Sequence, residues 1–271
     1  MNILHEAGTA LQALRQKRPL IHHLTNFVTM TDCANMTLAV GASPTMTNAV
    51  EEVAEMAAAA DALVINLGTL QQWTLEAMLI AGKAAATRGI PIVFDPVGAG
   101  GTTFRTKAAI RLMEELPMTV IRGNLSEITC LAAHKSGENL GVDNGETRDV
   151  TLELVEHIAN ETGTTIVITG AQDAVSDGTR SYLLGNGCPM LTYVTGTGCM
   201  TTSLIASFAS VTSPVVAAVA GVTTMGLAGE TALLRGGDAG PGTFHQHLFD
   251  AVYALSPKDM ETDGKVLRQH E

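Results

Sequence analysis

The sequence predicts an α/β fold: a mainly parallel central sheet, helices on both faces and an antiparallel edge. Three observations carry that expectation. Apolar, β-rich runs alternate with helical patterns from residue 62 to residue 169, which implies βαβ units. Beyond residue 169 the pattern changes to a hairpin signal, Asp177-Gly178 between Ala174-Val175-Ser176 and Arg180-Ser181-Tyr182-Leu183-Leu184. The last third reads as helical and begins at a glycine turn, Gly196-Thr197-Gly198.

In chain order, Ala62-Leu63-Val64-Ile65-Asn66 reads as a strand and 72–88 as a helix stopped by Gly89. Strand 91–95, helix 107–116, strand 118–122 and helix 125–133 follow, then helix 149–161 and strand 164–169. The stretch 136–148, rich in Gly, Asn and Asp, reads as an exposed loop. The hairpin leads through Leu191-Thr192-Tyr193-Val194 to the glycine turn, and Ser203-Leu204-Ile205-Ala206 begins the helical region. No Asp, Glu, Lys or Arg occurs from Val194 to Gly229. A membrane span needs about 20 predominantly apolar residues. Here Ser213-Pro214, an N-cap followed by proline at the first helical position, splits the run into two helices. They are expected to be buried inside the protein or at a subunit interface. Pro241 opens a last helix near 243–255. With no repeat and no linker, 1–271 reads as one domain.

Composition narrows the function. Of the 271 residues, 46% are apolar and only 16% charged, so a large core is available. A net charge of −11 argues against nucleic acid or an anionic membrane as the main partner. Cys33, Cys130, Cys188 and Cys199 form no C-x-x-C pair, so neither zinc nor a disulfide framework is indicated. The first residues show no signal-peptide pattern, and a cytoplasmic location is expected.

In open parallel sheets, ligands bind beyond the carboxyl ends of the strands. Here those ends are Asn66-Leu67-Gly68, Asp95-Pro96-Val97-Gly98, Arg122-Gly123-Asn124 and Thr169-Gly170. Each pairs a polar residue with a nearby glycine, which lets the backbone approach a ligand closely. At the glycine turn, unpaired first-turn amides and the helix dipole suit an anion, with Thr197 as a simple cap the alternative. Asn124-Leu125-Ser126-Glu127 reads either as a capping box or, with Asp95, as a carboxylate pair that holds Mg²⁺ through water. Arg122 suits a phosphate oxygen. There is no G-x-x-x-x-G-K-[ST], and no G-x-G-x-x-G follows a strand. His22-His23 and His245/His247 lack a third ligand and read as structural or surface groups.

Taken together, Asp95-Pro96-Val97-Gly98-Ala99, Arg122-Gly123-Asn124-Leu125-Ser126-Glu127, Val167-Ile168-Thr169-Gly170 and Gly196-Thr197-Gly198-Cys199 resemble the hydroxyethylthiazole kinase family of thiamine salvage. His23-Leu24-Thr25-Asn26-Phe27-Val28 and Gly41-Ala42-Ser43-Pro44-Thr45-Met46 match as well. The resemblance covers nearly the whole chain. It implies a ribokinase-like three-layer sandwich, transfer of the ATP γ-phosphoryl group to 4-methyl-5-(2-hydroxyethyl)thiazole, and a homotrimer with sites near subunit interfaces. It puts Arg122 and Thr169 on ATP; Met46, Gly196 and Asn26 on the alcohol; and Asp95 and Glu127 on Mg²⁺ through water. Gly196, Thr197 and Gly198 would form the anion hole. Cys199 stands where most ribokinase-like enzymes place an Asp base. A helix N-terminus should lower its thiol pKa and favour thiolate, making it a weak base for the substrate hydroxyl. Three other readings stand beside it: a kinase for another small alcohol, such as hydroxymethylpyrimidine, a dehydratase acting on damaged nicotinamide nucleotides, or a sensor that binds nucleotide without turnover.

Overall fold

The computed structural model describes residues 2–136, 151–236 and 239–270. Among these residues nine strands form one sheet: β1 (Leu20–Leu24), β2 (Ser43–Thr45), β3 (Ala62–Asn66), β4 (Ile92–Asp95), β5 (Val120–Gly123), β6 (Thr165–Ile168), β7 (Asp173–Ser176), β8 (Ser181–Leu184) and β9 (Val266–His270). Their order is β2-β1-β3-β4-β5-β6-β7-β8-β9. From β2 through β6 all pairs are parallel; β6–β7, β7–β8 and β8–β9 are antiparallel. The parallel body and antiparallel edge thus match the sequence expectation.

Helices cover both faces: α1 (Ile3–Lys17), α2 (Met30–Val40), α3 (Val53–Ala59), α4 (Gln72–Arg88), α5 (Thr103–Glu115), α6 (Leu125–Ser136), α7 (Leu152–Thr162), α8 (Thr197–Ala209), α9 (Pro214–Gly236), α10 (Pro241–Ala254) and α11 (Pro257–Asp263). Successive strand side chains point to opposite faces, so each central strand feeds two cores. Ala62, Val64, Val93, Val120 and Val167 pack under α1, α2, α8, α9 and α10. Leu63, Ile65, Ile92, Phe94, Ile121 and Ile166 pack under α3 to α7. That double burial explains why the strands read as unbroken apolar runs.

Helix α9 is long and apolar enough to cross a membrane by length and composition, yet 89% of its most apolar window is buried in this protein. It begins at Pro214 as read, and α8 and α10 pack along it. The hairpin turns at Gly178, φ +88°, while Asp177 Oδ1 accepts from the Thr179 and Arg180 N–H groups at 3.0 and 2.8 Å.

The structure also departs from the sequence reading. The elements before residue 62, together with α11 and β9, have no counterpart there. Helix α5 starts at Thr103 rather than 107, because the Thr102 hydroxyl caps it by accepting from the Arg105 N–H. The 191–194 segment lies mostly in a short 3₁₀ turn, Pro189–Tyr193. Apart from Ser136, the expected loop at 136–148 lies outside the described residues.

Candidate active site

The carboxyl ends of β3 to β6 and the N-terminus of α8 meet at one rim. Gly196 caps α8 with φ +86°, a left-handed conformation that L side chains rarely adopt. A Cβ there would also collide with the Thr29 side chain. The helix ladder begins with Met200 N–H to the Gly196 carbonyl at 2.8 Å, so the N–H groups of Thr197, Gly198 and Cys199 lie ahead of it. Thr197 is not the cap: its hydroxyl donates to the Leu191 carbonyl at 3.3 Å. The amides therefore remain available to an anion.

Arg122 reaches across this turn from β5. Its Nη2 donates to the Thr169 hydroxyl, and its Nη1 lies 3.6 Å from Asp95 Oδ2. Gly198 leaves room for the guanidinium, since a Cβ would lie 2.8 Å from Nη2 and closer still to Nη1. Arg122 and Thr169, separated by 47 residues, thus form one unit.

Asp95, at the end of β4, is fully buried. Its Oδ2 accepts from Asn66 Nδ2 and the Thr202 hydroxyl, both at 2.9 Å, while Oδ1 is buried without a partner among the described residues. Burial raises its pKa above the usual carboxylate range, opposed chiefly by the Arg122 charge. Glu127 fulfils the capping-box reading of its motif. It makes the capping box reciprocally with Asn124, at 2.9 Å each way, and its other oxygen accepts from the Gly98 N–H at 2.8 Å. Both carboxylates face the same cavity. Two acids with one orphaned oxygen suit Mg²⁺, which keeps several waters and needs few protein ligands. No group of three or more His, Cys, Asp or Glu among the described residues is arranged to hold a metal by itself.

Asn66, named in the sequence only as a strand end, is the hub. Its Nδ2 serves Asp95 and also points at Cys199 Sγ, 3.2 Å away; its Oδ1 accepts from Asn26 Nδ2 at 3.1 Å and the Gly68 N–H at 2.8 Å. Asn26 spends its own Oδ1 on the Val28 and Thr29 N–H groups at 3.1 and 3.0 Å, which fixes the loop after β1. Arg105, also absent from the sequence reading, donates to the Leu67 and Val97 carbonyls and ties two rim loops together. No short motif announces Asn66, Thr202 or Arg105, because their partners are remote in sequence.

Cys199 corrects an expectation. Its thiol pKa is raised, not lowered, because burial disfavours the thiolate and the neighbouring Asp95 charge adds to that penalty. Met46 follows β2, half-buried against the core, and lines neither cavity described below. The histidines behave as structural groups. Buried His22 binds the Thr47 carbonyl at 2.8 Å, and burial pushes the His23 pKa down to about 4. His245 faces Asp32 at 3.4 Å.

Two cavities meet at this rim. One, of about 400 Å³, is lined by Asn26, Asp95, Glu127, Gly196 and Cys199 among others. The second, of about 650 Å³, is lined by Thr169, Gly170 and Asp173 and by the apolar side chains of Leu191, Val222 and Met225, among others. Arg122, Asn124 and Gly198 line both. A group bound at the junction would touch the Arg122 guanidinium and the α8 amides from either side.

Comparison with known proteins supplies the context for this geometry. A family model described as the hydroxyethylthiazole kinase family matches residues 11–258. A hydroxyethylthiazole kinase from Thermoanaerobacter pseudethanolicus is 46% identical over 257 residues, covering 94% of this chain and 97% of its own. The solved structure of a hydroxyethylthiazole kinase protein from Pyrococcus horikoshii superposes with a TM-score of 0.89 at 40% identity, over 98% of this chain and 99% of its own. A ribokinase-like superfamily protein from Enterococcus faecalis gives a TM-score of 0.61 at 15% identity over 88% and 87%, a likeness of fold.

Proposed function

This chain belongs to the hydroxyethylthiazole kinase family, and from that premise we propose that it transfers the ATP γ-phosphoryl group to the hydroxyl of 4-methyl-5-(2-hydroxyethyl)thiazole in thiamine salvage. The junction of the two cavities carries this reading. A kinase needs nucleotide and alcohol in separate pockets whose reacting ends meet, and here they meet at Arg122 and the α8 N-terminus. The larger cavity takes ATP, its apolar lining receiving the base and Arg122 and Thr169 the phosphates. The smaller takes the alcohol.

Phosphoryl transfer rests mainly on positioning and charge stabilisation. The Thr197, Gly198 and Cys199 amides would hold the equatorial oxygens in flight, and Arg122 would pair with the phosphate chain. Asp95 and Glu127 would hold Mg²⁺ through water, and the ion would neutralise charge developing between the phosphates. Asn66 would hold Asp95 and Cys199 in register. Gly196 lets the turn approach the alcohol. Asn26 would shape the alcohol cavity through the loop it fixes, and Met46 would reach the substrate only if its loop moves or a neighbouring subunit completes the pocket. A homotrimer with interfaces near the site suits the exposed Phe27, Val28 and Tyr193. The domain reading, 1–271 as one unit, and a cytoplasmic location belong to the same proposal.

The test offers purified protein ATP, Mg²⁺ and a panel of alcohols. ADP release stimulated by hydroxyethylthiazole and not by hydroxymethylpyrimidine is the expected result. Accumulation of dehydrated nicotinamide nucleotide, or nucleotide binding with no ADP release under any substrate, would overturn the proposal. Cys199 is expected to contribute modestly, because a thiol with a raised pKa supplies little thiolate at neutral pH. Cys199→Asp should stay active, since the Asn66 and Asn26 amides are placed to receive a carboxylate. Cys199→Ala should lose about tenfold or less in kcat. An alanine variant indistinguishable from wild type would remove Cys199 from the mechanism.

A further inference from the structure

Asp173 opens β7 and lines the larger cavity, yet none of the roles above uses it. Its Oδ1 accepts from the Gly170 N–H at 2.9 Å, and among the described residues Oδ2 has no hydrogen-bond partner. Gly170 follows Thr169, whose hydroxyl receives Arg122, so the carboxylate stands just beyond the cationic end of the cavity. The same cavity is also lined by the apolar side chains of Leu191, Val222 and Met225. Asp173 is therefore an acceptor-only group close to Arg122, in a cavity that also carries apolar side chains.

A nucleoside triphosphate offers such a carboxylate few partners. Its ionised phosphates are acceptors and would be repelled. Its hydrogen-bond donors are the ribose hydroxyls, which lie next to the phosphates, and the exocyclic amine, which travels with the base toward the apolar lining. We infer that Asp173 is the sugar-specificity residue of this site, its free oxygen accepting hydrogen bonds from the vicinal ribose hydroxyls of the nucleotide. The inference rests on ATP occupying the larger cavity. Burial raises the carboxyl pKa to about 6, and the Arg122 charge opposes that rise. A site that accepts from that hydroxyl should reject a nucleotide lacking it, because the carboxylate would then be left without this partner.

The experiment compares ATP with 2′-deoxy-ATP and 3′-deoxy-ATP in wild type and Asp173→Asn, by steady-state kinetics and by nucleotide titration. Asn preserves the shape and the acceptor for the Gly170 N–H, so the fold is expected to persist, and thermal melting checks this. Wild type should favour ATP over at least one deoxy analogue by about tenfold or more in kcat/KM, mostly through KM. Asp173→Asn should lose most of that preference while changing turnover of the deoxy analogue little. Discrimination that survives intact in Asp173→Asn overturns the inference. So does a wild type that turns over ATP and both analogues equally, an outcome that leaves the kinase reading standing. A variant with unchanged sugar preference but a raised Mg²⁺ requirement also overturns it. Absence of ATP turnover in wild type with every alcohol would instead count against the kinase reading itself.

Discussion

Asp95→Asn is expected to lose about 10²- to 10³-fold in kcat while melting no lower than wild type at pH 8, an effect on turnover of the size seen when one preorganised charge is removed. Asparagine keeps the shape and can still accept from Asn66 and the Thr202 hydroxyl. It removes the charge that opposes Arg122 and that would hold Mg²⁺ through water. The stability side follows from the raised pKa. A carboxyl whose folded pKa exceeds its unfolded value binds its proton more tightly in the native state. Its ionisation therefore costs stability as pH climbs from the ordinary carboxylate range to the raised value, and the cost persists above that. Asparagine never incurs it. The opposing loss of the Arg122 contact is smaller, because burial outweighs that contact in the net shift, and Arg122 keeps Thr169. Kinetics with a Mg²⁺ titration and a thermal melt check both halves. A melting point more than about 5 °C below wild type would show that the carboxylate supports the fold. Full turnover would remove Asp95 from the reaction.

Gly198→Ala is expected to raise KM for ATP about tenfold and to lower kcat about 100-fold, with the fold intact. The added methyl would occupy the place of the Arg122 guanidinium, 2.8 Å from Nη2 and closer to Nη1. Arg122 would have to leave Thr169 and Asp95 together. The backbone itself tolerates the change: Gly198 is not among the positive-φ glycines, and alanine is the better helix former by about 1 kcal/mol. Gly196→Ala behaves differently. Its φ of +86° and the Thr29 side chain oppose any Cβ, so its loss should appear in stability as well as in rate. Titration of an ATP analogue into the two variants, beside their melting curves, separates the effects. Wild-type nucleotide affinity in Gly198→Ala would mean that the guanidinium does not meet the triphosphate.

From β3 onward the parallel sheet was legible because its strands are buried on both faces and carry little else but apolar residues. Before that point it was not. Strand β1 holds His22 and His23, polar in sequence, and becomes core only because the Thr47 carbonyl, the Ile21 carbonyl and the Thr37 hydroxyl meet their rings. Strand β2 is three residues long and contains Pro44, both poor strand signals. Strand β9 is exposed along most of its length, and its state comes from pairing with β8.

For the candidate site, strand ends and glycines marked the positions, since a polar residue that stops an apolar run is visible in one dimension. The contacts that give those positions their chemistry were not. Asn66 lies 29 residues from Asp95 and 133 from Cys199, and no local pattern encodes such pairings. Cys199 shows the consequence. Its place at a helix start argued for an acidified thiol, but burial and the carboxylate of a distant strand reversed the sign. By itself, then, the sequence determined which segments could be strands and helices and where their ends would offer polar groups, because periodicity and turn chemistry are local. Only the tertiary structure decided which of those groups share a cavity, which are already spoken for by hydrogen bonds, and which way a pKa moves, because desolvation and charge act through space rather than along the chain.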